Sequence, residues 1–426
     1  MRVLLISANT EQINMPVLPI GLAHVAAAVE LAGHEVRLLN PMSREGCLPL
    51  IGKALDEFQP EAIGISVRNI DNQQMQAPKF LLDPVKEMVA RCRKGSTAPV
   101  ILGGAGFSIF PQSALDLLGA DMGIRGEGED AFVRLLAALH RPADVAGIPG
   151  IVLPGGNSRP PCRHAGTLDA FPYPSPGERL AFPHTFEGQE IWLPFQTRRG
   201  CPMECSYCST ASIEGKVLRR WSPGVAADAV ARFRDAGFSH FFFVDNTFNL
   251  PASYAAAFCD ELAARGPGIR WRCILYPWKL ERELAGKMAR SGCAEVSFGF
   301  ESGSDEILRR MNKRFRTGDI RSAAETLHEH DIWRMGFLLL GGPGETRDTV
   351  LESLSFADSL GLESMKVTVG IRIYPGTALA DTAGARGMIA PGQDLLFPTF
   401  YIERELDGWL QETVQNWAKD RPNWIL

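Results

Sequence analysis

The sequence predicts two α/β units in series, an open parallel sheet and then a partial (β/α)6 barrel, closed by a short helical tail. Three observations carry this prediction. Strand-length apolar runs alternate with helix-length amphipathic stretches through residues 1–140 and again through 189–385, and alternation of that kind with short loops builds parallel sheets covered by helices. Residues 141–188 between them hold nine prolines and seven glycines, a density in which no helical period survives. The second unit opens on three cysteines, Cys201, Cys205 and Cys208, at C-x3-C-x2-C spacing.

A length of 426 residues suits two or three domains, and a 45% hydrophobic fraction is ordinary for a globular chain. A net charge of −5 gives no electrostatic case for nucleic acid or an anionic membrane. No run of eighteen apolar residues occurs, and Met1–Ser7 is too short for a signal peptide, so a cytoplasmic location without a membrane partner is expected. Cys47, Cys92, Cys162, Cys259, Cys273 and Cys293 are scattered and read as small buried apolar residues, not a disulfide framework.

In the first unit Val3–Ile6 reads as a strand, Pro19–Leu31 as a helix stopped at Gly33, and Val36–Leu39 as the second strand. Leu48–Phe58 is helical, Ala62–Ser66 extended, Leu81–Cys92 helical, Pro99–Leu102 extended, Ser113–Leu118 helical, Asp121–Ile124 extended and Ala131–Leu139 helical. Ligands of such Rossmann-like sheets sit at the carboxyl ends of the strands. Those ends are rich in glycine and amides here: Asn9–Asn14, Arg68–Gln74, Gly103–Ser108 and Gly126–Glu129. A dehydrogenase-type nucleotide fold would want Gly-x-Gly-x-x-Gly after the first strand, where Asn9–Asn14 has no glycine. Residues 141–188 read as a wrapping connector, with Ile151–Leu153 as one extra strand.

The second unit alternates strands at Ile191–Gln196, Phe241–Val244, Trp271–Leu275, Glu295–Phe300, Met335–Leu340 and Lys366–Ile373 with helices at Pro223–Ala236, Tyr254–Ala264, Glu281–Ser291, Thr317–His328 and Thr349–Leu360. By analogy with full barrels, chemistry is expected at the strand carboxyl ends. In the tail, 386–426, Leu395–Ile402 looks extended and Leu406–Asp420 is an amphipathic helix, read either as packing over the barrel or as a lid on its opening.

Three thiolates on one loop can hold three irons of a [4Fe–4S] cluster and leave the fourth open to a chelating ligand. The competing readings are a structural zinc site, which wants a fourth Cys or His close by, and three unrelated core cysteines. The stretch Arg198-Arg199-Gly200-Cys201-Pro202-Met203-Glu204-Cys205-Ser206-Tyr207-Cys208, with an aromatic just before the third cysteine, resembles the radical S-adenosylmethionine (SAM) superfamily over residues 189–380. The resemblance implies that the open iron chelates SAM. It also implies SAM contacts from Tyr207, from Asp245 and Asn246 near the amino group, from Glu301 at the ribose, from Gly341 and Gly342 beside adenine, and from Arg372. For Glu301 the alternative is a helix N-terminal carboxylate, and for Arg372 an ion-pair partner.

A glycine-looped open sheet before such a core resembles the cobalamin-binding radical SAM proteins, methyltransferase-like members of that superfamily. The resemblance implies cobalamin contacts from Asn9, Thr10, Ser66, Arg68, Asn69, Gly103, Gly104, Gly106, Gly126, Glu127, Gly128 and Glu129. The cobalamin tail would thread between sheet and helix, with the corrin over the strand ends. The Asp-x-His-x-x-Gly motif that ligates cobalt from below is absent: His24 falls inside a helix and His34 in a turn. The lower cobalt face is therefore expected to lack histidine, with Ser66–Gln74 beneath it.

The family implies methylation of an unactivated carbon, or a phosphinate phosphorus, of a small molecule, using methylcobalamin and a 5′-deoxyadenosyl radical. An electron donor such as flavodoxin or ferredoxin is implied too. Hydrogen-atom abstraction needs no protein base, so no catalytic residue is assigned. The alternatives are radical rearrangement or oxidative cyclisation, a methylthiotransferase-like RNA modifier, and a non-catalytic cobalamin protein. The RNA modifier would want a second cysteine triplet and a basic RNA-binding module. The short tail is expected to accompany a small substrate, or a partner chain that completes the pocket.

Overall fold

The computed structural model describes residues 1–11, 18–156, 158–161, 166–177, 182–266 and 268–426. Of the sequence expectations, the end of the first loop (Gln12–Asn14) and Cys162 lie outside the described residues.

The first sheet is built from β1 (Arg2–Ser7), β2 (Glu35–Leu39), β3 (Ala62–Ser66), β4 (Val100–Gly103), β5 (Met122–Ile124) and β6 (Ile151–Val152), in the order β2-β1-β3-β4-β5-β6. The first five are parallel, and β6 runs antiparallel to β5, so the sheet reaches into the stretch read as connector. The central strand β1 is apolar throughout, Val3 to Ile6 all fully buried, as expected of a strand covered on both faces. Helices α1 (Ile20–Leu31) and α6 (Glu129–Ala138) cover one face. On the other lie α2 (Cys47–Phe58), α3 (Leu82–Gly95), α4 (Ala105–Ile109) and α5 (Pro111–Leu118).

The second sheet is parallel and sequential: β7 (Leu193–Phe195), β8 (His240–Phe243), β9 (Arg270–Leu275), β10 (Cys293–Glu301), β11 (Trp333–Leu340) and β12 (Ser364–Val369). A seventh strand that the sequence did not suggest, β13 (Trp424–Ile425), pairs parallel to β12. The helices that connect or cover these strands include α7 (Thr210–Ile213), α8 (Pro223–Asp235), α9 (Ala252–Ala264), α10 (Arg282–Arg290), α11 (Asp305–Arg310), α12 (Thr317–His328), α13 (Arg347–Ser359), α14 (Ala378–Ala385) and the tail helix α15 (Trp409–Ala418). The expected sixth strand ends early. Gly370 adopts φ +78°, a conformation that favours glycine, a Cβ there would stand 2.5 Å from the Met75 sulfur of the first unit, and the chain turns at this point. Ile371–Arg372 then forms a separate antiparallel ribbon with Phe400–Tyr401.

The two units share one apolar core: Ile307, Met311, Ile371, Ile373, Leu379 and Tyr401 of the second unit pack into the cluster formed by α2–α5 and their sheet face. Cys47, Cys92, Cys259, Cys273 and Cys293 are buried and unbridged, as the sequence suggested.

Candidate functional site

The cysteine loop is anchored at its base by a short ribbon. Arg198–Arg199 pairs antiparallel with Arg219–Arg220, and Cys201 N–H donates to Gly215 O at 3.0 Å. Gly200 (φ +92°) lies so close to the Val217 carbonyl that only glycine fits before Cys201. Asp245, at the end of β8, is fully buried beneath this ribbon. It accepts from Thr197 N (2.8 Å), Thr197 Oγ1 (2.6 Å) and Arg198 N (3.1 Å), with Arg198 Nε at 3.4 Å. Both carboxylate oxygens of Asp245, expected near the SAM amino group, are engaged by Thr197 and Arg198 at the base of the loop. Asn246 likewise gives its Nδ2 to Glu214 Oε2 at 2.7 Å. Glu214 also accepts from Gln196 at 2.8 Å and Gly200 N at 2.9 Å, and burial raises the pKa of its carboxyl.

Cys201, Cys205 and Cys208 are half-buried, free of disulfides and close enough to influence one another electrostatically. Among the described residues, no group of three His, Cys, Asp or Glu side chains is gathered for a single metal ion. His184, seventeen residues before Cys201, stacks on Phe238 with ring centroids 4.1 Å apart and is not a fourth ligand. Three cysteines on one loop are the number that holds three irons of a [4Fe–4S] cluster and leaves the fourth open.

Beside the loop stands a buried network that sequence reasoning only half found. Tyr207 Oη donates to Glu301 Oε1 at 2.8 Å, and Lys313 Nζ donates to both, at 3.0 and 3.1 Å. Glu301 reaches this point because β10 bulges after Gly299 and Glu301 adopts φ +66°, rare for a side-chain-bearing residue. Burial opposes the Lys313 charge, but Glu301 and Tyr207 hold its pKa well above the usual lysine value. The alternative given to Glu301, a helix N-terminal carboxylate, is not what its partners describe. Lys313 lies in a turn with no motif around it, and no local signal could have found it.

Gly341 and Gly342 do not offer free amides. Both N–H groups donate to Glu345 Oε2, at 2.5 and 2.7 Å, and Ile402, Leu410, Ile371 and Met311 close over them. Arg372 takes the ion-pair alternative: Nε pairs with Asp71 Oδ2 of the first unit at 2.8 Å, and Nη atoms donate to the carbonyls of Ile373 and Leu395. Glu127 and Glu129, expected at the cobalamin, also pair with arginines of the second unit. Arg199 Nη2 meets Glu129 Oε1 at 2.5 Å, and Arg219 Nη1 meets Glu127 Oε1 at 2.5 Å, joining the first unit to the cysteine ribbon. His24 is buried against Trp221 and Tyr173, and burial, then Arg199, lowers its pKa to about 4.

A cavity of about 360 Å³ lies where the carboxyl ends of β1, β3 and β4 face α1 and the second unit. Asn9, Ser66, Arg68, Gly103, Gly104, Gly126, Glu127, Gly128 and Glu129 line it from the first unit; Gln196, Arg199, Ile213 and Glu214, flanking the cysteine triplet in sequence, line it from the second. Its inner end between sheet and α1 is apolar, with Leu5, Leu22, Val25 and Phe132. A Cβ added at Gly21 would meet nothing within 4 Å, and one at Gly103 only the Ile124 carbonyl at 3.8 Å, so side chains at either would fill the cleft. Thr10 and Asn69 line a small neighbouring pocket instead, and Gly106 packs on the Arg68 backbone. Among the described residues no histidine lines these cavities, and Arg68 is common to them. An apolar slot with a glycine-lined polar mouth fits a nucleotide tail and ring of cobalamin type.

Comparison with known proteins agrees with both halves. Residues 196–357 match the model of the radical SAM superfamily, and residues 6–136 that of the B12 binding domain. The chain is 26% identical to an uncharacterized methyltransferase of Pyrococcus horikoshii, over 91% of this chain and 84% of that one. It is 26% identical to the cytidylyl-2-hydroxyethylphosphonate methyltransferase of Streptomyces wedmorensis, over 90% and 80%. The structure of the radical SAM methyltransferase TsrM from Kitasatospora setae, with cobalamin and a [4Fe-4S] cluster bound, superposes with a TM-score of 0.86 at 20% identity, over 100% of this chain and 92% of that one. The cysteine loop, the cavity at the strand ends and both family models lead to one assignment: the chain belongs to the radical SAM superfamily, among its members that carry a B12 binding domain.

Proposed function

We propose that the protein is a cobalamin-dependent radical SAM enzyme that methylates an unactivated carbon, or a phosphinate phosphorus, of a small molecule. The observation that carries this reading is the cavity shared by the two units, lined on one side by the glycine loops of the first sheet and on the other by the residues flanking Cys201–Cys208. Methyltransferases among the relatives support it. In this reading Cys201, Cys205 and Cys208 hold the cluster, and Tyr207, Glu301 and Lys313 border the SAM site. Ser66, Arg68, Gly103 and Gly104 would border the cobalamin. When bound, the cluster and SAM supply one-electron chemistry and a methyl donor, and cobalamin carries the methyl group.

The protein's own part is to hold the two halves together. The Arg199–Glu129 and Arg219–Glu127 pairs fix the cysteine ribbon against the first unit, and the Arg372–Asp71 pair ties the segment after β12 to the loop after β3. The reading needs a one-electron donor such as flavodoxin or ferredoxin and places the enzyme in the cytoplasm. No described helix is long and apolar enough to cross a membrane. We place the unit boundaries near residues 140, 188 and 385, with β6 joined to the first sheet. The test does not require the substrate: the reduced protein is given SAM labelled in its methyl group, and the extracted cobalamin is weighed. Label retained with cobalamin supports the reading; label that never leaves SAM refutes it.

A further inference from the structure

The turn after α11 closes over the cysteine loop along its length. Ser206 N–H donates to the Met311 carbonyl at 3.0 Å, Asn312 Nδ2 to the Glu204 carbonyl at 2.7 Å, and Arg314 Nη2 to the Pro202 carbonyl at 2.8 Å. Lys313 stands between them and donates to Tyr207 Oη at 3.0 Å. Each residue of the turn from Met311 to Arg314 thus holds a different residue of the loop.

Lys313 brings a buried charge to this contact. Its side chain is 4% exposed, and its ammonium lies 3.1 Å from Glu301 Oε1. The rings of Tyr207, Tyr276 and Phe315 surround it, their centroids 5.3, 5.8 and 5.6 Å away. Aromatic faces favour a cation, and a charge shielded from water is felt more strongly by its neighbours. Burial raises the Cys205 thiol pKa; the Lys313 ammonium is the strongest charge opposing that rise, and it outweighs the Glu301 carboxylate. The positive end of the Lys313–Glu301 pair is therefore the end that the cysteine loop feels.

We propose that Lys313 sets the reduction potential of the cluster held by Cys201, Cys205 and Cys208, raising it and so easing one-electron reduction. Reduction adds one electron and no proton, taken from the one-electron donor, and leaves the site one charge more negative. A fixed cation beside the thiolates stabilises that state over the oxidised one. The inference rests on the three cysteines holding a cluster and is independent of what the enzyme methylates.

The test is a redox titration of anaerobically purified protein without SAM, followed by electron paramagnetic resonance. Lys313→Met should lower the midpoint by on the order of tenfold in the one-electron equilibrium, which is about 59 mV. Lys313→Arg, which keeps the charge, should stay near the wild type, and Glu301→Gln, which removes the opposing carboxylate, should raise the midpoint. A midpoint that does not fall in Lys313→Met, or that falls as far in Lys313→Arg, overturns the proposal. If Lys313→Met does not fold, the double variant Lys313→Met, Glu301→Gln takes its place. Its midpoint should still lie below the wild type, because the charge that acts more strongly on the loop is lost; a midpoint at or above the wild type overturns the proposal. Neutral variants that fold but take up no cluster, while Lys313→Arg takes one up, place Lys313 in assembly and overturn it too. Iron and sulfide are measured on the same samples. A wild type with no four-iron cluster sinks the cluster reading itself, and a loaded wild type whose midpoint is indifferent to Lys313 sinks this inference alone.

Discussion

Replacing Asp71 by Asn tests whether the two units are locked by buried charge. The Asp71 and Arg372 side chains are 1% and 2% exposed, and the pair spans the interface at 2.8 Å. Removing one partner of a buried pair costs about 3–5 kcal/mol, because the other charge stays buried without its counter-ion. Arg372 would keep its carbonyl partners, Ile373 at 2.7 Å, Leu395 at 2.8 Å and Leu396 at 3.2 Å. Those contacts place the loss at the lower end, about 3 kcal/mol. Urea unfolding followed by tryptophan fluorescence reads it directly. The double variant Asp71→Leu, Arg372→Met should recover part of the loss, since it leaves no charge behind. A loss under about 1 kcal/mol, the value for an exposed ion pair, would refute the reasoning.

Three further outcomes follow from named contacts. Gly104 has φ +98°, and a Cβ there would stand 2.5 Å from the Val67 carbonyl; Gly104→Ala should cost about 1–3 kcal/mol in thermal unfolding and lower cobalamin retention. Glu345 is driven up to about 7 by burial, against the Gly342 and Gly341 amides and with help from Glu403. Its neutral form is the one the fold favours, so its contribution is whole below about 4.5 and is lost as pH rises through about 7. Its Oε1 is buried without a partner while Oε2 takes both amides, so Gln fits in its place. Glu345→Gln should gain up to about 3 kcal/mol over the wild type at pH 8 and nothing at pH 4 in denaturant titrations. Lys313→Met leaves Glu301 buried with Tyr207 alone and should lower stability by about 3 kcal/mol, much of it restored by adding Glu301→Gln.

What the sequence made legible is what is local. The cysteine spacing sits within eight residues, and strand–helix alternation needs only neighbours. Partners distant in the chain were not legible. Asp245 looks like a ligand-binding strand end, but its bonds go to Thr197 and Arg198, nearly fifty residues earlier. Arg372 finds Asp71 across 301 positions. Glu127 and Glu129 line the cavity, yet their charges answer to arginines on the cysteine ribbon. The strand β13 is only two residues long and has no period of its own to read. Lys313 joins Tyr207 and Glu301 only once β10 has bulged.

The most direct test of the central claim, two cofactors facing each other across one interface, is the cofactor content of anaerobically purified protein. It would be made with cobalamin uptake and iron–sulfur assembly supported during expression. Iron, sulfide and extracted cobalamin should come to one four-iron cluster and one cobalamin per chain, and the cluster alone should be lost on changing Cys201, Cys205 and Cys208 to Ala. A cluster without cobalamin, even after incubation with excess, would contradict the account and leave the first sheet as a binding domain for something else.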